Sequence, residues 1–272
     1  MAREAVIVQS LRTGLTKAKR GSFNTTEPVD YLAHTLREAV ASVPNLDPAE
    51  IEDVIVGTGF PEGCQGMNTA RIAAMAAGFP QEVAATTVNR FCSSGSQAVM
   101  MAAHSIINEG ADVAIGAGVE TITMMQDGSQ NTTRLANAAA QKRFPGLYFP
   151  MGLTAEIVAE RYGISREDQD AVSLASQQRY AAAADAGFVA EEITPMKVTR
   201  SVMKKGEDPY DEDFTVEADE CNRPQTTLEA LNSLQPVFKP AAEGGTVTAG
   251  NASQLSDGAS STVLMSADRA SA

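Results

Sequence analysis

Over its first 120 residues the chain alternates between short apolar runs and segments carrying a helical apolar stripe, and this restricts its possible folds more than any other feature. Residues 5–9 read as a strand and 29–43 as a helix with Val29, Leu32, Leu36 and Val40 on one face. A buried-type strand over 53–57 follows, then an alanine-rich helix over 68–77 stopped by Gly78-Phe79-Pro80. A strand over 83–88, a helix over 93–109 and a strand over 112–119 complete the series. The order β-α-β-α-β-α-β is that of a layered α/β domain with a largely parallel sheet. Such sheets bind ligands at the carboxyl ends of their strands.

From about residue 125 the character changes. Residues 126–131 are polar and loop-like, and 153–162 form a short helix. Ser165-Arg166-Glu167-Asp168 is a capping box that opens a long alanine- and glutamine-rich helix closed by Gly187. Residues 204–219 are acidic and poorly periodic, a loop or hairpin. The sheet resumes after 245, where 261–266 form a strand that can pair beside the fourth. The expected organisation is an α/β domain of residues 1–124 and 244–272, interrupted by an α-rich subdomain over 125–243 that covers the site.

A single thiol stands out within the α/β domain. In Asn89-Arg90-Phe91-Cys92-Ser93-Ser94-Gly95-Ser96, a lone cysteine marks the passage from strand to helix. The first N–H groups of a helix lack intrahelical partners and carry partial positive charge, which suits an anionic group such as a thiolate. Cys92, Ser96, Val99, Ala103 and Ile106 fall at steps of three and four, which assigns them to one helix face. A buried structural cysteine fits the position alone equally well.

Composition narrows the function. With 34 acidic against 21 basic residues the net charge is −13, which argues against a nucleic-acid partner. An anionic small ligand is compatible if basic residues gather locally, and Arg200, Lys204, Arg223 and Lys239 fall within one forty-residue stretch. No apolar run approaches the roughly 20 residues of a membrane span. Met1-Ala2-Arg3-Glu4 leads directly into an apolar strand with no signal core, so a cytoplasmic setting is expected. Cysteines at 64, 92 and 221 make neither a CxxC pair nor an even set, so neither a disulfide framework nor a metal site is expected.

The motifs then become specific in combination. The block 89–99 resembles the acyl-enzyme motif of thiolases, the acyltransferases that make and break 3-ketoacyl-CoA. Arg12-Thr13 resembles the family's opening R-T element, and 63–71 (GCQGMNTAR) its GxGQNxAR segment. Gly116-Ala117-Gly118-Val119-Glu120 is similar to its G-G-V-E strand end, and Phe149-Pro150-Met151-Gly152-Leu153-Thr154-Ala155-Glu156 to its M-G-x-T-A-E loop. Arg223-Pro224-Gln225-Thr226-Thr227 with 234–238 resembles R-P-x-T-T and L-x-P-x-F, and 245–259 matches G-T-V-T-A-G-N-A-S-x-x-x-D-G-A.

The resemblance implies a thiolase-like α/β fold, with a mixed, largely parallel sheet, and Cys92 as the nucleophile. It implies coenzyme A and acyl-CoA as substrates rather than permanently bound cofactors. Ser253 corresponds to a serine on the pantetheine arm, with Ala249, Ala252 and Leu255 lining its tunnel, Arg223 beside adenine and phosphates, and Met151 in the acyl pocket. Pro150, where short-chain biosynthetic members often have histidine, points towards a degradative 3-ketoacyl-CoA thiolase. A homodimer or homotetramer is implied too. A complete thiolase has a second α/β half, to which the resemblance assigns N-E-A-F, a G-H-P histidine and a C-x-G cysteine; neither N-E-A-F nor G-H-P occurs among these 272 residues. His34 and His104 sit in expected helices. The expectation is therefore a chain that is catalytically incomplete alone; the alternatives are a non-catalytic or partner-dependent thiolase-like domain. A ketoacyl synthase would share the cysteine but not the 245–259 block, and a serine hydrolase would need a GxSxG elbow that this chain lacks.

Overall fold

The computed structural model describes residues 3–204 and 206–272. The expectation for the extreme N-terminus falls partly on Met1 and Ala2, and that for 204–219 partly on Lys205, which lie outside the described residues. The chain opens with β1 (Ala5–Arg12), β2 (Thr16–Lys17), α1 (Pro28–Ala41), β3 (Asp53–Gly57), α2 (Thr69–Ala76), β4 (Ala84–Val88), α3 (Ser94–His104), β5 (Val113–Glu120) and α4 (Ile122–Met125). There follow α5 (Ala138–Arg143), α6 (Met151–Tyr162), α7 (Arg166–Asp185), β6 (Met196–Val202), β7 (Tyr210–Val216), α8 (Leu228–Asn232), β8 (Ser256–Ser266) and α9 (Ala267–Ser271).

The chain divides into two compact units, one of Met1–Gln130, Val189–Cys221 and Leu255–Ala272, the other of Asn131–Phe188 and Asn222–Gln254. The segment expected as one insertion is thus shared between them. Residues 189–221 fold with the sheet because Arg12 holds them. Its backbone N–H donates to Glu192 and its carbonyl accepts from Thr194, while its guanidinium pairs with Asp219 and Glu192. The hairpin expected at 204–219 is the return strand β7, antiparallel to β6.

In the first unit the sheet order is β1-β8-β5-β3-β4. β3 runs parallel to both β4 and β5, whereas β8 runs antiparallel to β5 and β1. The sheet is therefore mixed: parallel on the β4 side, antiparallel on the β1 side. Alternation along each strand sorts residues between two faces. Val54, Val56, Val113, Ile115 and Val119 join α1 and α2 in a large core around the stacked rings of Phe23 and Tyr31. Ile55, Ala114 and Leu264 face α3, with Ala98, Ala102 and Ile106 of that helix and its final turn.

The α3 face of the sheet is lined by small residues. A β-carbon on Gly57 would fall 2.1 Å from the Ser94 carbonyl carbon, and one on Gly116 2.5 Å from the Val99 Cα. Glycine at these positions lets helix backbone lie directly on strand backbone. The buried stripe of α3 is Ser94, Ala98, Ala102 and, one turn past its end, Ile106. Of the expected face through Cys92, Ser96, Val99, Ala103 and Ile106, Ile106 is buried and Val99 and Ala103 pack beside it, Ser96 is exposed, and Cys92 lies before the helix rather than on it.

The second unit is helical. Ser165 and Asp168 form the expected reciprocal capping box of α7, and Gly187 follows its C-cap with φ +85°.

Candidate active site

β3 and β4 end level at Gly57 and Val88, on the register line of Gly118, two residues before the end of β5. From that edge the chain leaves β4 through Asn89–Ser93 into α3. Phe91 adopts φ +46°, a left-handed conformation unusual for a bulky residue. Its N–H donates to Asn89 Oδ1 at 2.7 Å, and its carbonyl accepts the Ser94 hydroxyl at 2.6 Å. Such strain, of order 1–3 kcal/mol, persists only where surrounding bonds over-determine it. The turn leaves Cys92 exposed, immediately before the N-cap residue Ser93. Within this chain the thiol is exposed, unlike a packed core cysteine. Ser93 supplies no side-chain cap to α3; its hydroxyl donates instead to the Arg90 carbonyl at 3.0 Å. The start of α3 thus keeps donors available for an anion.

A polar cluster lies behind the turn. The Glu120 carboxylate accepts the Gly59 N–H at 2.7 Å and the Gln65 amide at 2.5 Å. Gln65, fully buried, in turn accepts the Thr121 N–H at 2.7 Å. Tyr31 closes the cluster by donating to the Glu120 carbonyl at 3.0 Å.

In the second unit, the 246–253 loop is held by buried carboxylates. Glu156, one turn and more into α6 from Met151, accepts the N–H groups of Thr246 and Val247 and the Thr246 hydroxyl. Burial pushes this carboxyl up, but the hydrogen bonds from Val247 and Thr246 outweigh it and hold the group below its ordinary value. Asp170 of α7, fully buried and paired with Arg166, accepts from Asn251 Nδ2 at 3.0 Å. Asn251 Oδ1 takes the Thr248 N–H at 2.7 Å. Gln177 of the same helix accepts the N–H of Arg223 at 2.7 Å. Met151, Arg223, Ala249, Ala252 and Ser253 are all exposed members of this unit, tied to α6 and α7 by these bonds. Cys92 and Leu255, also exposed, belong to the first unit.

Sequence reasoning assigned no role to Glu120, Gln65, Glu156, Asp170 or Asn251. The signal to be found was an acidic or amide residue set within an apolar run or alanine-rich helix, where burial requires a partner. Three of the four basic residues have local partners. Arg200 pairs with Glu212 and covers Phe214, Lys204 lies over Tyr210, and Lys239 pairs with Glu160. His104 ends α3, ten residues or about 15 Å along the helix from its start. His34, half-buried, places Nε2 3.2 Å from the Thr194 hydroxyl. Among the described residues there is no group of three or more His, Cys, Asp or Glu suited to a metal, and no helix long and apolar enough to cross a membrane.

A mixed sheet between helical layers, with a cysteine presented on a strained turn at its carboxyl edge, defines a layered α/β protein built around an accessible thiol. Residues 5–268 match the family model described as the N-terminal domain of thiolase. The chain belongs to the thiolase family. It is 42% identical over 270 residues to a 3-ketoacyl-CoA thiolase of Bacillus subtilis, covering 99% of this chain and 68% of that protein. To a peroxisomal 3-ketoacyl-CoA thiolase of Arabidopsis thaliana it is 44% identical over 265 residues, 96% of this chain and 55% of the relative. The crystal structure of the Bacillus anthracis acetyl-CoA acetyltransferase superposes with a TM-score of 0.82 at 32% identity, over 99% of this chain and 67% of that one. The chain thus spans little more than half to two thirds of the length of these relatives.

Proposed function

We propose that this chain is the nucleophile-bearing portion of a thiolase that forms or cleaves 3-ketoacyl-CoA, with Cys92 as the acyl carrier. The exposure of Cys92 on the Phe91 turn, ahead of an α3 start that Ser93 does not cap, is the observation that carries the reading. In thiolysis the Cys92 thiolate adds to the 3-keto carbon of the substrate. The bond between C2 and C3 breaks, leaving an acyl thioester on sulfur and the enolate of acetyl-CoA, which takes a proton. The thiolate of a second CoA then attacks the acyl carbon and frees Cys92. Backbone donors near the helix start would stabilise each oxyanion, an interaction worth about 2.7–4 kcal/mol per donor.

The proton transfers require a base within hydrogen-bond reach of the reacting atoms. Neither His104, at the far end of α3, nor His34, engaged with Thr194, is placed for this. The base is therefore assigned to residues outside this chain, in a second α/β half or a partner. Met100 and Ile107, on α3 and its final turn, and Met67 and Phe91 are exposed apolar side chains available for such association. A homo-oligomer and a cytoplasmic setting belong to the same proposal, although the plant relative is named as peroxisomal.

For the substrate arm, the proposal assigns Ser253 with Ala249, Ala252 and Leu255 to pantetheine, Arg223 to adenine and phosphates, and Met151 to the acyl chain. The exposure of all six supports this. The test is incubation with acetyl-CoA or a 3-ketoacyl-CoA followed by peptide mass mapping. One acyl group should appear on Cys92 and none in Cys92→Ala. Labelling spread over all three cysteines, or persisting in that variant, would overturn the assignment.

A non-catalytic thiolase-like domain is the second reading, favoured by the absence of a placed histidine. It predicts no acyl transfer to Cys92 even with acyl-CoA in excess.

A further inference from the structure

We propose that Glu120, at the end of β5, is a positioning residue that fixes the orientation of Cys92 without touching it. The inference rests on Cys92 being the nucleophile. Two routes lead from this carboxylate to the turn and meet at Phe91, one a continuous chain of hydrogen bonds and the other a looser set of contacts through Thr58 and Ser94.

In the first, Glu120 Oε2 accepts the Gly59 N–H at 2.7 Å. The Gly59 carbonyl accepts from Asn89 Nδ2 at 3.2 Å, and Asn89 Oδ1 accepts the Phe91 N–H at 2.7 Å. Gly59 is required for this approach, since a β-carbon there would stand 2.8 Å from the carboxylate oxygen. In the second, Glu120 Oε1 accepts from Gln65 at 2.5 Å and lies 3.4 Å from the Thr58 hydroxyl. The Thr58 carbonyl lies 3.2 Å from Ser94 Oγ, which accepts the Arg90 N–H at 2.8 Å and donates to the Phe91 carbonyl at 2.6 Å.

Both polar groups of Phe91 are therefore held, its N–H through Asn89 and its carbonyl through Ser94. The carbonyl belongs to the peptide that joins Phe91 to Cys92. If Phe91 relaxed from φ +46° to an ordinary conformation, that peptide would rotate and carry the thiol with it. A carboxylate suits the junction because both of its oxygens accept, and the facing groups, Gly59 N–H and the Gln65 amide, both donate. Glutamine at 120 keeps the volume but sets an NH₂ against one of those donors.

The experiment is alkylation with iodoacetamide, read cysteine by cysteine by peptide mass mapping, with Cys221 as the reference in the same molecule, since the Glu120 charge acts on Cys64 directly. Glu120→Gln should slow Cys92 about tenfold while Cys221 changes less than about twofold. Asn89→Ser, which cuts only the first chain, should act in the same direction. Glycine takes the left-handed conformation unaided. On a Phe91→Gly background, Glu120→Gln should therefore cost less than about threefold, a coupling that general loosening would not produce. The proposal falls if Glu120→Gln leaves Cys92 within twofold of the wild type or slows Cys92 and Cys221 together. It falls equally if Glu120→Gln costs as much on the Phe91→Gly background as with Phe91 in place. If wild-type Cys92 reacts no faster than the exposed Cys64, it is the nucleophile reading that fails, and the two failures are separable. Should Glu120→Gln not fold, Asn89→Ser carries the same criteria.

Discussion

Gly57, the last residue of β3, lies so close to Ser94 at the start of α3 that a β-carbon on it would sit 2.1 Å from the Ser94 carbonyl carbon. The distance from sheet to helix, and with it the placement of the Cys92 turn, is set by this backbone contact. Gly57→Ala must push the helix away and should cost about 3 kcal/mol in urea denaturation. Gly95, inside α3, is different: a β-carbon there would meet only the Gly118 Cα at 3.9 Å, an ordinary contact. Gly95→Ala should be neutral or stabilising by up to about 1 kcal/mol, from helix propensity.

Arg12 grips Asp219 through its two terminal guanidinium nitrogens, at 2.6 and 2.8 Å, and Asp219 is 6% exposed. Arg12→Ala leaves that carboxylate buried without its cation and should cost about 3 kcal/mol in chemical denaturation. Arg12→Lys keeps the charge but loses the two-point grip, and should fall between wild type and Arg12→Ala.

Glu156 and Asp257 are buried carboxylates of opposite sense. Glu156 lies below its ordinary value of 4.5, because donors from Val247 and Thr246 outweigh burial. Its contribution is complete above pH 4.5 and is lost as pH falls through the lowered value. Asp257 lies above its ordinary 3.8, because burial dominates the donors from Thr123 and Glu220 adds repulsion. Folded protein protonates it more readily than unfolded, so its contribution declines as pH rises above 3.8. Glu156→Gln should therefore cost about 2 kcal/mol at neutral pH. Asp257→Asn should cost less than about 1 kcal/mol, since the amide oxygen can still accept the Thr123 N–H. Thermal unfolding of the two variants, from pH 4 to 8, checks both the order and the slopes.

Glu50 accepts two bonds from Arg269, at 2.8 and 3.0 Å, and one from the Asp47 N–H at 3.1 Å. These hold its carboxyl down at about 2, from an ordinary value of 4.5. Stability from the pair is full above pH 4.5 and lost as pH falls through about 2. An NMR titration should place the Glu50 midpoint near 2 in the wild type and return it towards 4.5 in Arg269→Gln. An unchanged midpoint would remove Arg269 as the cause.

Much of this was legible in the chain itself. The alternation of apolar runs gave the expected strands at 53–57 and 83–88, observed at Asp53–Gly57 and Ala84–Val88, because each reports locally which residues avoid water. The Ser165–Asp168 box was legible for the same reason, its partners being three residues apart. The placement of Cys92 before a helix followed from the same local pattern. The face of α3 did so only in part, since periodicity cannot distinguish small residues that touch a sheet from small residues left exposed.

The sequence by itself determined which segments are strand and helix and which thiol stands at a strand-to-helix junction. Only the tertiary structure decided that β1 pairs antiparallel with β8 from the far end of the chain, and that residues 189–221 fold with the sheet. It alone joined Glu120 to Gly59 and Gln65, and Glu156 to Thr246. The reason is one of range. Hydrophobic periodicity is written within a few residues, whereas strand order and the pairing of buried polar groups depend on partners 55 to 90 positions away or more, which are fixed only when the packed layers bring them within hydrogen-bond reach.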